Sequence, residues 1–443
     1  MADGPTAAET PITHARILAI ALPIVVSNAT IPILGAVDTA VVGQMGEAAP
    51  IGAVGIGAVI LTSIYWVFGF LRMGTTGMVA QARGAGDVAE SGALLMRSLI
   101  LGGAAGLVFI LLQVPIFWAA FRLAPASAEV EGLARAYLAI RIWGAPAAIA
   151  LYAVTGWLIA VERTRAVLLL QLWMNGVNVV LDLWFVLGLG WGVEGVAVAT
   201  LTAEWSGLAL GLWLCRAAFG GTAWRDWGRI FDRARIVRMA QVNGDIMIRS
   251  VLVQAAFTTF LFLGAGRGDV NLAANQVLLQ FLQITAFALD GFAFAAEALV
   301  GAAMGGRRRD RLRRAAVMSS LWGVGLSLPL AIFFALCGPA VIDVMTTAPE
   351  VRLAAREFLP WVVAAPLIGI ASWMLDGIFI GATETRAMRN AMLLSVAIYI
   401  GALGVLVPAF GNHGLWAALM VLNAARAVTL GLRYPALEAR AAT

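Results

Sequence analysis

Residues 171–204 read QLWMNGVNVVLDLWFVLGLGWGVEGVAVATLTAE. The part before Gly188 is apolar enough to cross a bilayer, yet it carries Asn175, Asn178 and Asp182. At 3.6 residues per turn these three fall on one helical stripe. Thr200 follows on the next apolar segment. Amides and a carboxylate inside hydrocarbon are costly to keep, so such a stripe marks function by default. The stretch predicts a membrane-spanning helix pair with a polar seam.

Composition agrees. The chain has 443 residues, of which 61% are hydrophobic and 12% charged, against about a quarter charged in soluble domains. The net charge is +5 and every basic residue is arginine. These arginines lie in short connections between apolar stretches, which fits loops facing an anionic inner leaflet rather than nucleic acid. Cys215 and Cys337 sit in or at the ends of apolar stretches and are expected as buried thiols. His14 and His413 are isolated, so no metal-ligand cluster is predicted. The first fifteen residues lack the basic region and cleavage site of a signal peptide, so the first apolar segment is expected to be retained.

Twelve apolar stretches are long enough to span: 16–42, 51–80, 92–120, 132–161, 166–188, 193–215, 236–264, 270–303, 315–337, 353–382, 388–409 and 413–433. Pro23 and Pro32 lie in the first, which is expected to bend. The amphipathic connection 216–238 reads as a linker between two six-helix lobes, 1–225 and 226–443. Connections after even-numbered spans carry Arg83, Arg163, Arg165, the 216–238 arginines, the 307–314 cluster, Arg386 and Arg389, whereas the others carry few. That bias predicts both termini on the cytoplasmic side of the inner membrane.

The lobes resemble each other. Gly156–Ala166 aligns with Gly377–Ala387 at an offset of 221, Val79–Gly84 with Val300–Gly305 at the same offset, and Gly190–Ala199 with Ala409–Ala418 at 219. Six helices per repeat give both repeats one orientation, with a cavity expected at their interface.

Depth singles out one group of polar residues. Asp38 and Asp182 each lie about six residues from the outer end of their spans, Thr200 about seven, and Asn178 about a turn deeper. Their counterparts in the second repeat are Thr259, Leu403, Leu419 and Tyr399, so the carboxylates belong to the first lobe only. Two carboxylates in a weakly solvated pocket do not easily both ionise, and they titrate as a unit. One charge moved across ~100 mV yields roughly 2.3 kcal/mol, enough for about a forty-fold gradient. Such a pair suits ion-coupled transport. Further charges inside spans are Arg72, Asp245, Arg249, Asp290, Glu297, Asp376 and Arg426. Asp245 and Arg249, four apart, are expected to pair along one helix, and Asp290 and Glu297 share a face. Asn175, Asp245, Arg249, Asp290, Glu297 and Asp376 stand as cavity or structural residues.

These residues carry a resemblance. PIVVSNATIPILGAVDTAVVGQMG in the first span, NGVNVVLDLWFVLGLGWGVEGVAVAT in the fifth and sixth, LAANQVLLQFLQITAFALDGFAFAAEALVG in the eighth and LDGIFIGATETRA in the tenth resemble the multidrug and toxic compound extrusion (MATE) family, in its DinF-like branch. The likeness runs over nearly the whole chain. It implies a V-shaped pair of six-helix bundles that exports organic cations and amphiphiles in exchange for H⁺ or Na⁺. Position by position, Asp38, Asn178, Asp182 and Thr200 match the branch's ion site, and Pro23 matches a bend in its first helix. Arg249 departs from the other main bacterial branch, which has a glutamate there in a second-lobe Na⁺ site; Asp376 matches that site's aspartate.

The sequence therefore predicts an all-α membrane protein of twelve helices in two pseudo-symmetric bundles. It is expected to be a monomeric antiporter with small-molecule substrates, no organic cofactor and alternating access. The small ligand set favours H⁺ as coupling ion, with Na⁺ as the alternative. A lipid-linked precursor flippase is a second reading, which calls for a cavity rich in cations. An intramembrane enzyme is a remote third, since no mid-span histidine exists and neither HExxH nor GxSxG occurs in a suitable context.

Overall fold

A computed structural model describes residues 11–44, 47–123 and 127–442, and among them it contains helices and no strand. In the first half, α1 is His14–Gly43, α2 Ala48–Trp66, α3 Gly69–Gly84, α4 Val88–Leu111, α5 Gln113–Leu123, α6 Ala128–Arg141, α7 Ala145–Ala160, α8 Thr164–Asp182 and α9 Gly192–Leu214. After a short α10, Trp227–Ile230, the second half contains α11 Arg233–Ala265, α12 Asp269–Gly305, α13 Arg309–Met345, α14 Pro349–Gly381, α15 Thr385–Gly431 and α16 Tyr434–Arg440. Each predicted span is found, with α2–α3, α4–α5 and α6–α7 forming single interrupted crossings.

The described residues supply 11 stretches long and apolar enough to cross a membrane, and the last, Thr385–Arg440, is 56 residues long. Straight, it would run to roughly 84 Å, far beyond a hydrocarbon core of about 30 Å. It folds back instead. Gly411 takes φ 60° and ψ −129° in mid-helix, a conformation glycine adopts without the penalty of a side chain. The Leu406 carbonyl then lies against Gly414. Two crossings result, which brings the described residues to twelve crossings.

Internal duplication is visible in the backbone. Three pairs of positive-φ residues stand at the offset of 221: Glu162 with Thr383, Gly86 with Arg307, and Gly190 with Gly411. Close helix contacts obey the same offset. A Cβ on Gly156 would meet the Arg72 carbonyl at 2.5 Å, and one on Gly377 would meet the Ala293 carbonyl at 2.6 Å. The contact of Gly84 with Ala302 is likewise matched by that of Gly305 with Gln81. The second contact is the first with its partners exchanged.

Backbone contacts divide the chain into two units, one of 1–25, 80–86 and 238–443, the other of 26–79 and 87–237. Helix α1 is thus shared, changing unit just after Pro23. The linker belongs to the second unit, where it is fastened to α4: buried Arg97 donates to the Ile230 carbonyl at 2.9 Å and to the Arg229 carbonyl at 3.1 Å. Of the two thiols, Cys215 is buried as expected and Cys337 is exposed. The correction has a simple cause. Cys337 follows Phe333 and Leu336 on a face of α13 whose apolar side chains point outward, as a lipid-facing surface requires.

Candidate functional site

In the unit formed by 26–79 and 87–237, the predicted residues converge. Asn178 and Asp182 are one turn apart at the end of α8, both buried, at 1% and 0% exposure. Just beyond Asp182 the helix widens to a π-turn over Leu183–Gly188, a local irregularity that recurs at functional sites. Thr200 stands on α9, accepts a hydrogen bond from Asn178 Nδ2 at 3.1 Å and donates to the Val196 carbonyl at 3.0 Å. Asp38, on α1, brings its carboxyl within hydrogen-bonding reach of Asp182. Asp38, Asn178, Asp182 and Thr200 therefore form one group.

The group is short of donors. Asp38 Oδ1, Asn178 Oδ1 and both carboxylate oxygens of Asp182 are buried with no hydrogen-bond donor. Four buried acceptors without a donor are expensive. Their chemistry asks for a proton shared between the carboxyls, or for a small cation among the oxygens. Either fits; the residues present are hard oxygen ligands of the kind a light cation takes.

Asn175, on the same stripe, belongs to a neighbouring network. Its Nδ2 donates to Thr30 Oγ1 on α1 at 2.9 Å, and its Oδ1 accepts from Gln171 Nε2 at 2.9 Å. It ties α8 to α1 rather than facing the carboxyls.

A feature that the sequence reading missed lies beside the group. Arg141, at the end of α6, makes a two-pronged ion pair with Glu204 on α9, at 2.7 and 2.9 Å. Both are buried, and Asp38 lies within the field of Arg141. Gly144 is pressed against Glu204 Oε2, leaving no room for a side chain there. Tyr65 and Tyr137 complete the surroundings, with the Tyr65 hydroxyl buried and without a partner. The signal was present. Glu204 is one turn after Thr200, and Arg141 interrupts an apolar span.

In the other unit the structure corrects one expectation. Asp245 and Arg249 do not pair along α11. Asp245 accepts from Arg389 Nη1 at 2.6 Å and from Thr385 Oγ1 at 3.0 Å, while Arg249 reaches Asp376 on α14. Interhelical partners win because a buried carboxylate needs several donors at once. Arg426 also pairs with Asp376. On α12, Glu297 is buried and Asp290 half-buried.

A helical membrane bundle with a buried acid pair confined to one half of a duplicated chain has the build of a transporter. The MatE family profile matches residues 23–184 and 246–403. The chain is 38% identical over 423 residues to DNA damage-inducible protein F of Escherichia coli (strain K12), covering 93% of this chain and 90% of that protein. It is 26% identical over 442 residues to a probable multidrug resistance protein NorM of Xanthomonas axonopodis pv. citri (strain 306), covering 94% and 92%. Among solved structures it superposes on an outward-facing multidrug resistance MATE family transporter of the MOP superfamily with a TM-score of 0.87 at 19% identity, covering 98% and 97%. The bent form of the Vibrio cholerae MATE transporter VcmN gives 0.86 at 19% identity, covering 96% and 97%. The chain belongs to the MatE family. It is a multi-pass membrane transporter and not an enzyme.

Proposed function

We propose that this transporter is an ion-coupled antiporter that exports organic cations and amphiphilic drugs by alternating access. The observation that carries the reading is the set of four buried acceptor oxygens without a donor at Asp38, Asn178 and Asp182. In this reading the Asp38–Asp182 pair takes up the coupling ion from the outer side. Thr200 fixes the amide of Asn178, and Asn178 turns its carbonyl oxygen towards the pair. Loading removes the repulsion between the carboxylates and frees α1 to bend near Pro23, which lacks an intrahelical donor. That rearrangement expels the solute. H⁺ suits the group best, because one proton shared by the two carboxyls removes their repulsion without the larger oxygen cage that a metal cation takes. Na⁺ is the alternative.

The working bodies are the six-helix lobes 1–225 and 226–443, in a monomer of the inner membrane with both termini cytoplasmic. The NorM relative, named a probable multidrug resistance protein, supports drugs as the cargo. The test is accumulation of a fluorescent cation in proteoliposomes under separately imposed pH and Na⁺ gradients. Wild type should respond to one of them. Asp38→Asn and Asp182→Asn should respond to neither, and undiminished gradient-driven transport by both folded variants ends the assignment.

A further inference from the structure

The second repeat holds a charge cluster that the acid pair does not use. Arg249 on α11 and Arg426 near the end of α15 both donate through Nη2 to one oxygen, Oδ2 of Asp376 on α14. The side chains are only 12%, 6% and 9% exposed, in that order. Arg426 Nη1 also donates to Asn423 Oδ1 at 3.2 Å, while Arg249 Nε is buried with no acceptor.

Two guanidiniums against one carboxylate leave a net charge of +1 among apolar helices. Guanidinium does not shed its proton in proteins, and a buried charge without a counterion is costly. Asp245, one turn before Arg249, offers no relief, because Arg389 and Thr385 already engage it. As a mere clasp between helices, one arginine on Asp376 would suffice; the second adds a charge that nothing in the cluster balances. The cluster is also absent from the first repeat. At the offset of 221 Arg249 and Asp376 stand opposite Asn28 and Thr155, and Arg426 stands opposite Trp205, or Gly207 at 219.

We propose that Arg249 and Arg426 form an anion-binding subsite. Asp376 serves as the internal anion that occupies it between loadings. The ligand is an oxyanion, a carboxylate or phosphate, whose paired oxygens match the guanidinium fork and replace the single oxygen now shared. Two sources carry that chemistry, an amphiphilic solute with an acidic group and the headgroup of an anionic lipid. The proposal rests on this geometry and not on ion coupling, and its assay is equilibrium binding rather than transport.

The experiment uses the full chain purified in a mild detergent, with carboxyfluorescein as the solute probe read by fluorescence anisotropy. Retained phosphatidylglycerol against phosphatidylcholine, read by native mass spectrometry, is the lipid probe. Arg249→Met and Arg426→Met should each weaken binding at least ten-fold, with loss in the carboxyfluorescein arm assigning the solute and loss in the phosphatidylglycerol arm assigning the headgroup. Asp376→Asn should strengthen the same arm several-fold, because the internal competitor is gone. A clasp predicts the opposite sign for Asp376→Asn. Where a methionine variant does not fold, Arg249→Lys and Arg426→Lys keep the charge and lose the fork, and binding should fall several-fold. The proposal is overturned if the arginine variants match wild type in both arms, or if Asp376→Asn weakens both.

Discussion

Asp182→Asn should make this transporter more stable while disabling it. In the wild-type arrangement both oxygens of Asp182 and one of Asp38 are buried without donors. An asparagine at 182 keeps the shape and brings an NH₂ group beside the Asp38 carboxyl. Converting a buried unsatisfied carboxylate oxygen into the acceptor of a charge-assisted hydrogen bond is worth about 1.5–3 kcal/mol, and the mutual repulsion of two carboxylates disappears as well. Against this stands the proton. At acid pH the wild-type pair shares one, which supplies the same missing donor, so the two proteins converge. The sign follows from linkage: a folded state that holds a proton the unfolded chain has lost is favoured by acid, and its stability falls as pH rises. Free aspartates ionise near ~4, so the wild-type advantage of acid operates above that value.

The assay is thermal unfolding of detergent-purified protein across pH. Asp182→Asn should melt close to wild type at about pH 5 and higher by roughly 2 °C or more at about pH 9. Its own profile should be flatter. Sodium adds a second axis. If Na⁺ is the ion, added NaCl raises the wild-type midpoint at alkaline pH and leaves that of Asp182→Asn unmoved. In transport, the variant should lose the roughly forty-fold accumulation that one charge at ~100 mV sustains. A variant that melts below wild type at every pH and still concentrates its substrate refutes the reasoning.

Other perturbations follow from the same contacts. Glu204→Ala strips the partner from buried Arg141 and should cost about 3–5 kcal/mol, whereas the double change Arg141→Met with Glu204→Leu should cost less than Glu204→Ala alone; melting of the three proteins decides it. Gly156→Ala and Gly377→Ala push a methyl into carbonyls 2.5 and 2.6 Å away and should each destabilise by about 1–3 kcal/mol. Because the two contacts are repeat-related, their penalties should agree within about a kcal/mol. Gly411→Ala forces a Cβ onto φ 60° and ψ −129° and should cost about 1–3 kcal/mol, read as a lower melting midpoint with normal membrane insertion.

What the sequence discloses and what it hides divide along physical lines. Span positions are legible because a bilayer imposes a long, unbroken apolar requirement. The Asp38–Asp182 meeting is legible for a related reason: few polar residues occur in such spans, so two at one depth stand out. The offset of 221 is legible and also structural, since the paired left-handed residues and glycine contacts keep it. Side-chain partnering is different. Asp245 and Arg249 sit at a spacing that permits a pair, and the fold separates them because Arg389, Thr385, Asp376 and Arg426 arrive from other helices. Nor does the spacing of Arg141 and Glu204, 63 positions apart, announce a pair. Local periodicity constrains which face a residue occupies, and only packing says what it meets there.

The duplicated frame gives those partnerships their meaning. Starting from equivalent helices, one repeat concentrates buried acids without donors, at Asp38 and Asp182, and the other sets two arginines, Arg249 and Arg426, on the one carboxylate of Asp376. The scaffold contact of Gly156 recurs in the other repeat at Gly377, whereas these charges do not recur. Charge of opposite sign at non-equivalent positions fits the two different ligands proposed. An acid pair lacking donors selects a cation small enough to fit between carboxyls. Two guanidiniums that share one carboxylate oxygen suit an oxyanion. In the proposed scheme the coupling ion binds in one repeat and the acidic group in the other, so that neither ligand competes for the other's residues.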